Sequence, residues 1–146
     1  MDSRPFALAL ILAACGPAPD YRSSHGVAYF FDEVEWSHEE IEEQETWFLT
    51  QVVSNPGYPE TRVLEALEQV EVHLKIDPIP CGYSKGCNGL QDYEVLLVRA
   101  HACPFQSALT HEMAHWLQQA LHGVNDYRHE EVELWKIANS RPRDCP

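Results

Sequence analysis

A chain of 146 residues, 45% hydrophobic and 23% charged, accommodates one small globular domain and not two. Ten basic against 23 acidic side chains give a net charge of −13. Such a surface repels phosphate backbones and anionic headgroups, which excludes nucleic acid as a partner and a basic patch as a means of membrane attachment.

Residues 1–14 read as a targeting segment. Arg4 is the only basic side chain ahead of an apolar run over 6–14, too short to span a bilayer and laid out like a secretory h-region. Leu12-Ala13-Ala14-Cys15 resembles the lipobox of bacterial lipoproteins. The resemblance implies cleavage before Cys15 and acylation of that residue, which anchors the protein in the cell envelope. Gly16, rather than Asp, after the cysteine implies the outer membrane, on its periplasmic or surface side. Residues 15–24, rich in Pro, Ala and Ser, are expected to tether a single domain over 25–146, which is expected to be a monomer.

With Cys15 assigned to lipid, Cys81, Cys87, Cys103 and Cys145 form an even set, as an oxidising compartment permits. The short step from Cys81 to Cys87, through Gly82 and Gly86, favours a local bridge and leaves Cys103 with Cys145. A zinc site built from these cysteines competes with that pairing, but no C-x-x-C pair occurs.

In chain order, 26–31 is a β-type run and the first expected strand. Ser37 with Glu40 matches a capping box, flanked by Trp36 and Ile41 at staple positions, so a helix is expected from Ser37. Phe48, Leu49, Val52 and Val53 supply its inward stripe, and Asn55-Pro56-Gly57 stops it. A shorter helix over 59–69 turns Val63, Leu64 and Leu67 inward. The period then changes: Val70, Val72, Leu74 and Ile76 alternate with Glu71, His73 and Lys75, the pattern of a half-buried strand. A third, more deeply buried strand is expected over 93–99, then helices over 104–122 and 126–139. The order β-α-α-β-β-α-α describes a small α+β domain, a short mixed sheet crossed by its longest helix.

That helix carries His111-Glu112-Met113-Ala114-His115, an H-E-x-x-H motif. Residues four apart share a helix face, so both imidazoles can reach one tetrahedral Zn2+. Glu112 adjoins the first ligand and can take the proton of a water whose pKa the metal lowers to about 7. The competing reading, two solvated histidines and a Glu, fits poorly with a segment made apolar around much of its circumference by Ala108, Leu109, Ala114, Trp116, Leu117, Ala120 and Leu121. A catalytic zinc usually has a third protein ligand. His122 shares the face but lies about 16 Å along the axis from His111 in a continuous helix, and Gly123 is the natural residue to end that helix. The preferred third ligand is His129, in the first turn of a last helix capped by Asp126. Glu130, Glu131, Glu133 and Asp126 remain the alternatives.

His111-Glu112-x-x-His115, a glycine turn, Asp126-x-x-His129 and then Trp135 resemble zincin metallopeptidases, and most closely small SprT-type members. In those, a histidine beyond the active helix completes the site and an aromatic residue follows. The resemblance covers about 93–135. It departs from metzincins, whose third histidine and preceding glycine would fall at Leu121 and Gln118. It implies a zincin-like fold and a peptidase hydrolysing peptide or protein substrates with Glu112 as the catalytic base. Tyr127, His101 and Arg128 are the candidate oxyanion stabilisers. The alternative is an inactive metal-binding or structural lipoprotein on the same scaffold; a binding module without metal is a third.

Overall fold

The computed structural model describes residues 16–82, 86–99, 102–125 and 128–140, with only the backbone at 102–107, 132, 139 and 140. The signal segment with Cys15, the cap candidate Asp126, Tyr127, His101, and the Cys103–Cys145 pairing therefore lie outside the described residues.

The fold is α+β: strands β1 (Tyr21–Arg22) and β2 (Ala28–Phe30), helices α1 (His38–Val52) and α2 (Glu60–Leu67), strands β3 (Glu71–Lys75), β4 (Gly89–Asp92) and β5 (Val95–Arg99), and helices α3 (Ala102–His122) and α4 (Val132–Ser140). The five strands form one mixed sheet in the order β1-β2-β3-β5-β4. Parallel pairing joins β2, β3 and β5, while β1 and β4 are antiparallel edges. Two strands thus join the expected set. Tyr21–Arg22 falls within the stretch expected to be tether, and its pairing with Ala28 and Tyr29 draws that stretch into the domain. β4 falls in what reads as a loop: Gly89-Leu90-Gln91-Asp92 has no β-branched residue, and partnership with β5 makes it a strand.

Ser37 caps α1 as expected, its hydroxyl accepting from the Glu40 amide. The stripe is shifted, however. Ile41, Gln44, Glu45, Phe48 and Val52 are buried, while Leu49 and Val53 pack at its margin. β3 alternates with Val72 and Leu74 fully buried. β5 alternates too, with Leu96 and Val98 in the core and Val95 and Leu97 half-buried, so it is less enclosed than its run of apolar residues implied. α3 packs on β4 and β5 and touches α1, α2 and α4. Leu109, Met113 and Leu117, one turn apart in succession, are its fully buried face. Two hydrogen bonds fix its neighbours: Trp116 Nε1 donates to the Ala66 carbonyl at 2.9 Å, and Thr110 Oγ1 to the Ala138 carbonyl at 2.7 Å. Cys81 and Cys87 form a disulfide next to a bridge between Ile79 and Cys87.

The β1–β2 hairpin is fastened to α1 by polar groups. Glu45, 1% exposed, accepts from the Tyr29 hydroxyl at 2.5 Å and meets His25 Nδ1 at 3.0 Å. Glu42 accepts from the Tyr21 hydroxyl and from the amide and hydroxyl of Ser24. Removing the Glu45 carboxylate strands a buried hydroxyl, so Glu45→Ala is expected to lower stability by on the order of 3 kcal/mol in urea unfolding; a loss under about 0.5 kcal/mol would refute this account of the hairpin.

The same network sets a pH response. The hydrogen bond to Glu45 holds His25 above its ordinary value of 6.5. A histidine raised on folding contributes stability that is complete below the unfolded value and lost as pH rises through the folded one. Burial pushes Glu112 up to about 8, which adds a decline of the same sign above its ordinary value of 4.5. The His25 share is therefore read as a difference: His25→Gln is expected to flatten the fall in stability above about pH 6.5. Parallel pH profiles for the two proteins would refute it.

Candidate metal centre

α3 presents His111 and His115 one turn apart because four residues nearly complete a helical turn. The helix then ends at Gly123, whose φ of +66° and amide bond to the Gln119 carbonyl form a left-handed C-terminal turn. His122, in the last turn, is exposed and sets its ring edge-on to Tyr58 at 5.2 Å. The returning chain brings His129 back to the two helical histidines. His129 is not in the first turn of a helix, as the sequence suggested. Its φ is +56° and α4 begins only at Val132. A residue in the left-handed region cannot continue an α-helix, so the reversal occupies the loop and delays α4.

His111, His115 and His129 each offer a ring nitrogen within 4.8 Å of the other two. Nε2 of His129 lies 3.4 Å from Nε2 of His115. Two imidazoles at that distance can share one proton, but the spacing also matches a tetrahedral zinc, whose Zn–N bonds of about 2.05 Å place neighbouring ligands about 3.3 Å apart. Trp135, 6% exposed on α4, floors the trio with ring centroids 4.9, 4.5 and 4.2 Å from those of His111, His115 and His129. Three imidazoles on an apolar floor suit a borderline cation such as zinc, so the residues fit the metal.

Glu130 and Glu131 follow His129 and border an adjoining cavity. Glu133 sits exposed in the first turn of α4, paired with Lys136 at 2.8 Å. None of the three belongs to the histidine group among the described residues. Arg128 is exposed.

Glu112 is 6% exposed, and its desolvation raises the carboxyl from its ordinary 4.5 to about 8. A group so placed accepts a proton readily near neutral pH. Sequence reasoning missed the residue above it. β4 is held to α3 by Gln91 Nε2, which donates to Gln119 Oε1 at 2.6 Å. That brings Gly89 onto Glu112, where an added Cβ would stand 2.4 Å from Oε1 and 2.6 Å from Cγ. The only sequence signal was a glycine beside Asn88, which reads equally well as a turn. Gly89→Ala is expected to push the Glu112 side chain aside and to lower stability by about 1–3 kcal/mol in urea unfolding; an unchanged midpoint would show that the close approach is not tight.

A second group, His25, Glu42 and Glu45, also has ligand atoms within 4.8 Å of one another. Its carboxylates already accept from Tyr21, Ser24, Tyr29 and His25, so it serves as a closed hydrogen-bond network.

No family model, no curated protein and no solved structure matches this chain.

Proposed function

We propose that this protein is a zinc metallopeptidase that hydrolyses peptide bonds on the outer side of a bacterial membrane, to which acylated Cys15 anchors it. The observation that carries the reading is the convergence of His111, His115 and His129 within 4.8 Å, with the buried carboxyl of Glu112 one residue from the first of them. The three histidines would hold the ion. Bound there, zinc supplies Lewis-acid polarisation of the substrate carbonyl and a lowered pKa for water. Glu112 takes the proton as water attacks and returns it to the leaving amine. Gly89 leaves room for that carboxylate, and Trp135 packs against the three rings.

The test is metal content and peptide hydrolysis in the same preparation, before and after chelation and zinc return. Stoichiometric zinc with turnover that follows it supports the proposal. Zinc without turnover would leave a structural lipoprotein on the same scaffold, and no affinity for zinc would end both readings.

The anchor rests on the lipobox resemblance. Among the described residues no helix is long and apolar enough to cross a membrane. Cys15→Ser is expected to abolish acylation, seen by mass, and to release the protein from membranes; retention equal to that of the unaltered protein would overturn the anchor.

A further inference from the structure

The stretch after Cys15 is much shorter as a free tether than its composition implied. Gly16, Pro17 and Ala18 are exposed and belong to no strand or helix, and Pro19 is half-buried. The sheet takes hold at Asp20, whose amide donates to the Tyr29 carbonyl at 2.9 Å and whose Oδ2 accepts from the Phe31 amide at 2.7 Å. Tyr21 and Arg22 then pair with Tyr29 and Ala28. The Tyr21 hydroxyl and Ser24 both bond to Glu42 on α1, and the Tyr21 ring stacks on His38 at 3.9 Å. A hairpin held at so many points moves with the domain.

Only residues 16–19 therefore separate Cys15 from the fixed part of the chain. Pro17 and Pro19 favour the extended polyproline conformation, with a rise of about 3.1 Å per residue. From Cys15 to Asp20 the chain thus reaches about 16 Å, and no more than about 18 Å. β1 and β4 are opposite edges of the sheet, four strand spacings or about 19 Å apart. Gly89 of β4 lies on Glu112, so the histidine centre belongs to the edge away from the tether. Tether and sheet together confine it to within about 40 Å of a bilayer that holds Cys15, close to the thickness of the bilayer itself. The net charge of −13 keeps the domain off anionic headgroups, so the tether is drawn out rather than folded back.

We propose that the substrate is a polypeptide held in the same membrane by an apolar anchor, and that it is cut in the stretch within about 40 Å of the bilayer. Holding enzyme and substrate on one surface raises their effective concentration, an advantage that vanishes where the linkers cannot span the sites. A tether of tens of residues would let the centre sweep bonds far above the surface; residues 16–19 do not. The substrate class rests on the anchored-peptidase reading, whereas the height of the domain follows from the anchor alone.

Both parts are tested with the acylated protein on vesicles of phosphatidylethanolamine and phosphatidylglycerol that carry a dansyl headgroup lipid. The comparison is a variant with twenty prolines inserted between Ala18 and Pro19, a stiff spacer of about 60 Å. Energy transfer from the tryptophans to the dansyl groups is expected in the unaltered protein and should fall about fivefold or more in the spacer variant. For turnover, the peptide cut best in solution from a mixed-sequence set is coupled, through a few residues, to an acyl chain in the same vesicles. The unaltered protein should cleave it about tenfold or more faster than the spacer variant does, while both cleave the free peptide alike and hold the same zinc. Equal cleavage of the acylated peptide overturns the proposal. So does equal energy transfer in the two, or transfer in the unaltered protein no greater than in Cys15→Ser. A protein whose mass shows no acyl chain ends the anchor reading and this inference with it. An acylated protein that cuts no peptide ends the peptidase reading and the substrate class, and the transfer still decides the height.

Discussion

Alanine at His111 or at His115 is expected to strip zinc from the protein, because each removes one of three donors and a rigid helix cannot shift to make up the loss. The loss should exceed the roughly 10–100-fold that follows removal of an outer hydrogen-bond partner of a metal ligand. His129→Ala should also weaken binding by orders of magnitude. Its residual affinity should be the highest of the three, since a loop can rearrange around a water or a neighbouring carboxylate where a helix cannot. His122→Ala is the control. That ring stands against Tyr58 beyond the reach of the trio, so its removal should leave the affinity nearly intact. Competition with a chelator of known affinity reads all four. Should His122→Ala lose the metal while His129→Ala keeps it, the proposed centre is wrong.

Glu112→Gln is expected to act on turnover and not on binding. The amide keeps the volume of the carboxyl between α3 and Gly89 but cannot take a proton. Hydrolysis should fall by at least about a hundredfold, the usual scale for losing a general base, with zinc content and the unfolding midpoint of the loaded protein preserved. Loss of metal together with activity would instead make Glu112 part of the coordination. Full activity would remove it from the mechanism altogether. The contrast with the histidine variants carries the information, since those lose the ion first and activity as a consequence.

How much of this was legible beforehand follows from the range of the interactions involved. The Ser37 cap, the alternation of β3 and the glycine stop at Gly123 depend on residues within a turn or a few positions of one another. So does the shared face of His111 and His115, and each of these could be read from the sequence alone. By the same argument the sequence removed His122 from the centre, since the rise of a continuous helix is fixed.

Everything that depends on one segment meeting another was decided by the tertiary structure. His129 was the preferred third ligand, but its left-handed backbone and the late start of α4 come from the reversal between two packed helices. Glu45 on the inward face of α1 looks like a misplaced surface charge until Tyr29 and His25 arrive from the hairpin. β4 has no strand composition and exists because β5 and Gln119 give it partners. Gly89 has a role only because that strand crosses Glu112 with no room for a Cβ. Local periodicity is written within single elements, so a chain states its helices, caps and shared faces directly. Close approach between elements depends on how loops close and cores pack, and no short window of sequence contains it.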